Sequence, residues 1–378
     1  MIPFINVRAQ REAYLSEFKQ AENEVLNSGC FIGGPVVQAL ESELAEFTGS
    51  KHTITCGSGT DALTIALLAL GLKPGDEVIV PDFTFIAPAE CVMRLGGIPK
   101  FADIDAETLQ VSAESIESLI GEKTRGIIAV NLFGQCAPYA EIRKCAQANG
   151  LWLIEDSAQA FGAMQNGIPA CTFGDISITS FYPAKPLGCY GDGGALFTAN
   201  DELAQRIRLI ANHGSQTRYI HEICGMNSRL DAIQAAVLRV KLRHFKDELK
   251  KRSENARKYD EFFNAIPGIA PQKIANGNTS TYAQYTVLAE DRATFLKQLE
   301  SAGVPYCIHY PMPLHTQPCF KELAQVRENT SDRASRDSSA SNATVACQKV
   351  VSLPMCAFTD VDEIIARLRM TAAFKTSF

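Results

Sequence analysis

Leu151-Trp152-Leu153-Ile154-Glu155-Asp156-Ser157-Ala158-Gln159, residues 151–159, runs four apolar side chains straight into two carboxylates and a small or polar tail. An apolar run this short, with no alternation, reads as a strand buried on both faces, and such strands belong to parallel sheets covered by helices. Its carboxylates then stand at the C-terminal edge, where open α/β sheets collect ligands. Outward from it, Glu77–Pro81, Ile98–Asp103, Gly126–Leu132, Ile176–Phe181 and Ala195–Thr198 have the same character, with amphipathic stretches between them. The alternation predicts an α/β fold built on a largely parallel sheet. A second acidic strand end, Asp103-Ile104-Asp105, is the other place to look for chemistry.

On the N-terminal side, residues 1–30 predict helix through Tyr14, Phe18, Ala21 and Val25. A turn at Gly33-Gly34-Pro35 and a helix through Leu40, Leu44 and Phe47 follow. On the C-terminal side, Arg229 to about Ala265 predicts one long helix, apolar on one side and charged on the other. It would link a large domain, 1–240, to a smaller C-terminal α+β domain, 241–378. The smaller domain has strand candidates at Tyr282–Leu288 and Tyr306–His309 and a closing helix after Asp360. Glu328–Ala343 is rich in Ser, Asn, Asp and Arg and lacks apolar anchors, which predicts a mobile surface loop.

At 378 residues, with 46% hydrophobic and 21% charged side chains, the chain has the make-up of a two-domain globular protein. A net charge of -6 argues against a nucleic-acid partner, since neutralising phosphates takes a basic face. No apolar window is long enough to span a membrane, and Arg8, Glu12 and Glu17 interrupt any signal-peptide core, so a cytoplasmic protein is expected. The twelve cysteines are scattered with no CxxC pair, which fits small buried hydrophobes in a reducing compartment rather than a metal site.

Four segments carry potential chemistry. Gly57-Ser58-Gly59-Thr60 precedes the apolar stretch Ala62–Leu70, so unpaired N–H groups at a helix start would be free to hold a phosphate. Asp156, at its strand end, has the position from which a carboxylate keeps a ring nitrogen protonated, as pyridoxal phosphate requires. Lys185 lies between Pro183 and Pro186, just past an apolar strand, where an amine held out of bulk water can form Schiff bases. Gly188-Cys189-Tyr190-Gly191-Asp192-Gly193-Gly194 is not a dinucleotide loop, because a strand rather than a helix follows it. Its glycines would let the backbone cross close under a ligand. Taken singly, each segment has an ordinary reading as a cap, a loop or a solvated charge; only their combination is specific.

The strings CGSGTDAL, FTFIAPAE, IEDSAQAFGA, SFYPAKPLGCYGDGGALFT and GMNSRLDAIQAA resemble, in order, the motifs of the DegT-type sugar aminotransferases. The likeness runs from residue 3 to about residue 356. It implies an aspartate-aminotransferase-like large domain (fold type I) with a mixed, mostly parallel sheet, a smaller C-terminal α+β domain, and pyridoxal 5'-phosphate as cofactor. Lys185 would be the Schiff-base lysine and proton carrier, Asp156 the partner of the pyridinium nitrogen, and Gln159 a neighbour of the ring hydroxyl. Phe85 would stack on the ring, while Gly59, Thr60 and Ser180 would hold the phosphate. Asn227 would reach that phosphate from the neighbouring subunit of a homodimer. Lysine rather than histidine at position 185 favours amino transfer over dehydration, with L-glutamate as donor and a keto nucleotide sugar as acceptor. Ser58 and Pro88 depart from the family's usual Asn and Thr.

Within the family, KPLGCYGDGGA, GQCA (134–137), NSRLD, YAQYTV and IHYPMPLHTQP resemble the members that aminate C3 of UDP-2-acetamido-2-deoxy-3-oxo-D-glucuronate for surface polysaccharides such as O-antigen. Arg229 would then pair with an anionic group of the sugar nucleotide, and His309 and Tyr310 would line the sugar pocket. Amination at C4 of a 4-keto UDP- or dTDP-sugar, and a non-catalytic ligand sensor on the same fold, are the alternatives the same residues leave open.

Overall fold

Every apolar run read as a strand between residues 77 and 198 is a strand in the computed structural model, which describes residues 2–320 and 341–371. The strands are β1 (His52–Cys56), β2 (Glu77–Pro81), β3 (Ile98–Ala102), β4 (Thr124–Val130), β5 (Trp152–Asp156), β6 (Met164–Gln165), β7 (Ile168–Pro169), β8 (Ile176–Ser180), β9 (Gly194–Thr198), β10 (Ile269–Pro271), β11 (Tyr285–Ala289) and β12 (Val350–Leu353). Seven of them make one sheet in the order β1-β9-β8-β5-β4-β2-β3. Pairing is parallel from β8 through β3, while β9 runs antiparallel to both β1 and β8. The β8–β9 connection, residues 181–193, therefore needs no helical crossover, and it carries Lys185.

The helices are α1 (Val7–Ala13), α2 (Leu15–Ser28), α3 (Pro35–Thr48), α4 (Gly59–Ala69), α5 (Ala87–Arg94), α6 (Ala113–Ser118), α7 (Tyr139–Ala148), α8 (Asp201–Ala211), α9 (Ala232–Phe263), α10 (Arg292–Ala302), α11 (Asn342–Lys349) and α12 (Val361–Met370). One face of the large sheet, through Ile128, Ile154, Ile178 and Leu196, packs on α4, α5 and α8. The other, through Ile127, Ala129 and Leu153, packs on α6 and α7. Because side chains alternate along a strand, Asp156 points with Ile154 toward α4, and Glu155 points with Leu153 the opposite way. No helix among the described residues is long and apolar enough to cross a membrane.

α9 spans 32 residues and joins two cores. Its first half packs on α2 and α3; its second, through Tyr259 and Phe263, covers the three-stranded antiparallel sheet β10-β11-β12. Three charged side chains are buried along it. Lys241 Nζ donates to the Gly188 carbonyl at 2.6 Å and lies 4.6 Å from the Tyr190 ring centroid, while burial pushes its pKa down to about 8. Arg252 donates to the Tyr282 carbonyl at 2.9 Å, and Glu248 accepts from Gln10 at 2.8 Å.

Several expectations need correction. Residues 2–6 are not helical: Asn6 caps α1 through the Ala9 N–H, and the helix breaks at Tyr14, whose ring stacks on His244 at 3.9 Å. Tyr306–His309 forms no strand; only Cys307 bridges to Ser352. The edge strand β1 and the short β10 and β12 were not legible as apolar runs of the same kind. Of the tract 328–343, residues 328–340 lie outside the described residues. Its end is not a loop: Asn342 and Ala343 open α11, and Asp103 accepts their N–H groups at 3.0 and 2.8 Å. Asp103 is thus a carboxylate placed at a helix start, and Asp105 accepts from the Thr108 N–H in a local turn, so neither faces a ligand cavity.

Glu155 is fully buried, and it accepts from Asn131 Nδ2, Ser157 Oγ, the Cys171 and Phe173 N–H groups and Ser177 Oγ, at 2.7–2.9 Å. These bonds tie β5 to β4, β8 and the loop between them. Glu155→Ala leaves the donors without an acceptor and should lower the unfolding free energy by about 3–5 kcal/mol, the scale of a broken buried network, in urea titrations. A near-parental midpoint would contradict this role.

Candidate active site

The start of α4 is built as an anion cradle. Ser58 caps the helix by accepting the Asp61 N–H at 3.0 Å. The Gly59 and Thr60 N–H groups are not capped in this way, and Gly59 lies against Ser180. A Cβ at Gly59 would lie 2.7 Å from Ser180 Cβ, and one at Gly194 would lie 2.5 Å from the Ser58 carbonyl. Glycine at both points lets β8, β9 and α4 meet without a gap. In the glycine-rich segment 188–194, Gly188 and Gly194 accommodate the protein's own backbone, while Asp192 lines the cavity described below.

Asp156 stands at the end of β5, 5% exposed, with one hydrogen bond to it, from the Ala158 N–H at 2.9 Å. Burial pushes its carboxyl up to about 6, against the pull of that N–H and of Lys185. Lys185 is partly buried in a turn closed by its own N–H on the Tyr182 carbonyl, and its amine has no hydrogen-bond partner among the described residues. Burial holds its pKa below the ordinary lysine value, and Asp156 opposes that shift. The pair is what each would have without a ligand: a carboxylate and an amine both short of partners in a low-dielectric site.

Gln159 accepts the Phe133 N–H at 2.8 Å and donates to the Tyr310 hydroxyl at 3.2 Å, which fixes both side chains at the mouth. His309 bonds through Nδ1 to Ser352 Oγ at 3.0 Å, and burial pushes it down to about 4, so it is neutral at pH 7. Phe85 leaves 53% of its surface open, an apolar face without a cover.

Gly59, Thr60, Phe85, Asp156, Gln159, Ser180, Lys185, His309 and Tyr310 line one cavity of about 520 Å³. Sequence reasoning missed Thr84, Tyr182, Asp192 and Gln284 on the same wall. All four fall inside quoted motifs, Thr84 in FTFIAPAE, Tyr182 and Asp192 in SFYPAKPLGCYGDGGALFT and Gln284 in YAQYTV, and that is the signal that pointed to them. Asn227 and Arg229 do not line the cavity of their own chain. Both are exposed, and Arg229 borders a separate recess of about 370 Å³ with Glu41 and Arg208. Ser228, between them, ties that loop to the cradle by donating to Asp61 at 2.7 Å and accepting the Gly57 N–H at 2.9 Å.

The donor set suits a planar ring bearing a phosphate: N–H groups at one end, a buried carboxylate at the other, an open aromatic face and a free amine between. A lysine and an aspartate so placed at the C-terminal edge of a mixed α/β sheet define a site of the fold-type-I class. The match to the DegT/DnrJ/EryC1/StrS aminotransferase family extends over residues 13–369, and the chain belongs to that family. It is 43% identical to a UDP-2-acetamido-2-deoxy-3-oxo-D-glucuronate aminotransferase of Pseudomonas aeruginosa, over 96% of this chain and 98% of that one. The crystal structure of S. venezuelae DesV in complex with a ketimine intermediate matches with a TM-score of 0.91 at 34% identity, covering 97% of each chain. That of ntda from Bacillus subtilis with bound cofactor pmp matches with a TM-score of 0.85 at 29% identity, over 96% of this chain and 82% of that one.

In the cofactor-free protein, Asp156 carries a folded-state pKa of about 6 against its usual 3.8. Its contribution to stability is present below about pH 4 and is lost as pH rises through 6. Asp156→Asn removes that loss. Between pH 4 and 7 the variant should gain about 3 kcal/mol of unfolding free energy relative to the parent, both cofactor-free. A difference independent of pH would contradict a buried, underpaired carboxylate.

Proposed function

We propose that this cavity binds pyridoxal 5'-phosphate and moves the amino group of L-glutamate to C3 of a 3-oxo nucleotide sugar, UDP-2-acetamido-2-deoxy-3-oxo-D-glucuronate. The observation that carries the reading is the Lys185 amine and the Asp156 carboxylate in one cavity with the Gly59-Thr60 cradle. The likeness to the Pseudomonas aeruginosa enzyme supports the choice of sugar. When bound, the cofactor supplies an electron sink for the carbon that loses a proton.

The chain's residues divide the remaining work. Gly59 and Thr60 N–H groups, with the Thr60 and Ser180 hydroxyls, hold the phosphate at the positive end of α4. Asp156 keeps the ring nitrogen protonated, a role that a carboxylate out of water performs strongly because little else competes for its charge. Phe85 covers one ring face, and Gln159 bonds near the ring hydroxyl. Lys185 anchors the cofactor in the resting enzyme. With its pKa lowered, Nζ is then available as a neutral base that takes the proton from the donor carbon and returns it on the acceptor side. His309, neutral, and Tyr310 line the sugar end.

Asn227 and Arg229 fit this scheme as residues offered to a neighbouring copy, Asn227 toward its phosphate and Arg229 toward an anionic sugar group. The supporting observation is the apolar surface beside Arg229: Phe31 and Ile32 are about half exposed and meet the chain at Asp231 and Ala232. A homodimer with shared sites follows. The chain has free cysteines, the usage of a reducing compartment, so we place it in the cytoplasm, supplying an amino sugar for surface polysaccharide.

Purified protein should be yellow, lose the colour with L-glutamate, and regain it with the 3-keto UDP-uronate but not with 4-keto UDP- or dTDP-sugars. Recovery with a 4-keto sugar alone would move the reaction to C4; retained colour under glutamate would point to a ligand sensor. Lys185→Ala should bind cofactor yet lose at least about 10²–10⁴-fold in turnover, the worth of a positioned proton carrier. Parental turnover would refute its role.

A further inference from the structure

We propose that Gln284 is a sugar-selecting side chain of this site, presenting its carbonyl oxygen to a hydrogen-bond donor on the nucleotide sugar and taking no part in the glutamate half of the reaction. The inference deepens the aminotransferase reading and rests on it. Gln284 lines the same cavity as Lys185 and Asp156, and its Oε1 is buried with no hydrogen-bond partner. The carboxamide as a whole makes no hydrogen bond among the described residues. Other glutamines near the site are fully engaged. Gln159 bonds Phe133 and Tyr310, Gln110 bonds the Leu132 N–H and carbonyl, and Gln135 bonds the Lys273 carbonyl and the Ala275 N–H. Thr84 Oγ1 on the same cavity is likewise buried without a partner, and polar groups left open around one space mark a place for a ligand.

Its backbone leaves the side chain little freedom to find a partner elsewhere. On one side, the Tyr282 carbonyl is held by Arg252 Nη1 at 2.9 Å; on the other, Tyr285 opens β11 and its hydroxyl donates to Asp260 at 2.6 Å. Gln284 therefore reaches the cavity from the three-stranded sheet, as does His309 through its bond to Ser352 on β12. The phosphate cradle and Asp156 come from the seven-stranded sheet. The cavity is thus lined from two sheets, and Gln284 belongs to the part of the lining supplied by the small one.

The two substrates differ in what they offer a lone acceptor. L-Glutamate carries two carboxylates, which only accept, and one amine, which is consumed at the reacting carbon. A nucleotide sugar carries hydroxyl and acetamido N–H donors around its ring. A glutamate carboxylate can meet Nε2 alone, whereas only the sugar satisfies Oε1 and, through a neighbouring oxygen, Nε2 at the same time. A site built to bond a substrate group discriminates strongly against a ligand that lacks it, because the protein's group is then left unpaired.

The test separates the half-reactions by stopped-flow absorbance in the holoenzyme. In Gln284→Leu, which keeps the bulk and removes both polar ends, conversion by L-glutamate should be unchanged. The 3-keto nucleotide sugar should bind about 10-fold to 100-fold more weakly in the return half-reaction. Gln284→Met gives the same reading should the Leu variant fold poorly, and the cofactor's visible spectrum reports folding in either. An unchanged sugar half-reaction overturns the proposal; so does equal loss in both halves, which marks a structural role. Should the parent itself ignore glutamate, the aminotransferase reading fails instead. Calorimetry with the amino-sugar nucleotide then still decides whether Gln284 contacts the sugar, since equal affinity for parent and variant overturns it.

Discussion

Among the described residues, a carboxylate with a single hydrogen bond and an amine with none share one cavity, the first buried and the second partly so. Charges so placed are costly unless something completes them. The rest of the molecule is arranged to keep this pair in place. β5 carries Asp156 out to the sheet edge, Glu155 pins that strand on the opposite face, and the antiparallel return from β8 to β9 holds Lys185 across from it. Beneath that return, Lys241 on α9 grips the Gly188 carbonyl, so the long helix supports the lysine turn as well as joining two cores.

Completion by a ligand explains features that make little sense for an empty protein. The open face of Phe85, the uncapped Gly59 and Thr60 N–H groups of α4 and the unpartnered Gln284 carbonyl are each unfavourable by themselves, and all border the same space. Stability is given up locally for binding, and the surrounding hydrogen-bond networks at Glu155 and Gln159 recover it. The cavity also has a division of labour. Side chains from both the large and the small sheet line it, and in the proposed reaction the former would hold the cofactor and the latter the sugar.

Much of this was legible in the sequence where periodicity and local chemistry agree. The run Leu151–Ile154 was a strand, its carboxylate reached the cavity, and the lysine between two prolines sat just beyond another strand. Legibility failed where a residue's role depends on distant partners. Asp103 looked like a strand-end acid of the same sort as Asp156, yet a helix 239 residues on places its N–H groups against it. Glu155 passed as a companion of Asp156, because nothing local tells which side of the strand meets the donors. Short strands lacking a long apolar run, β1 among them, owe their conformation to the partner strand more than to their own side chains. Arg229 was expected at the sugar and is exposed outside its own chain's cavity, while Asn227, expected to serve a neighbouring copy, is exposed as well.

The central claim is a covalent bond between Lys185 and the aldehyde of pyridoxal phosphate, and borohydride reduction of the purified protein followed by peptide mapping tests it directly. The account predicts a pyridoxyl group on Lys185 and on no other lysine. A labelled peptide that excludes Lys185, or a reduced protein with no labelled lysine, would contradict it.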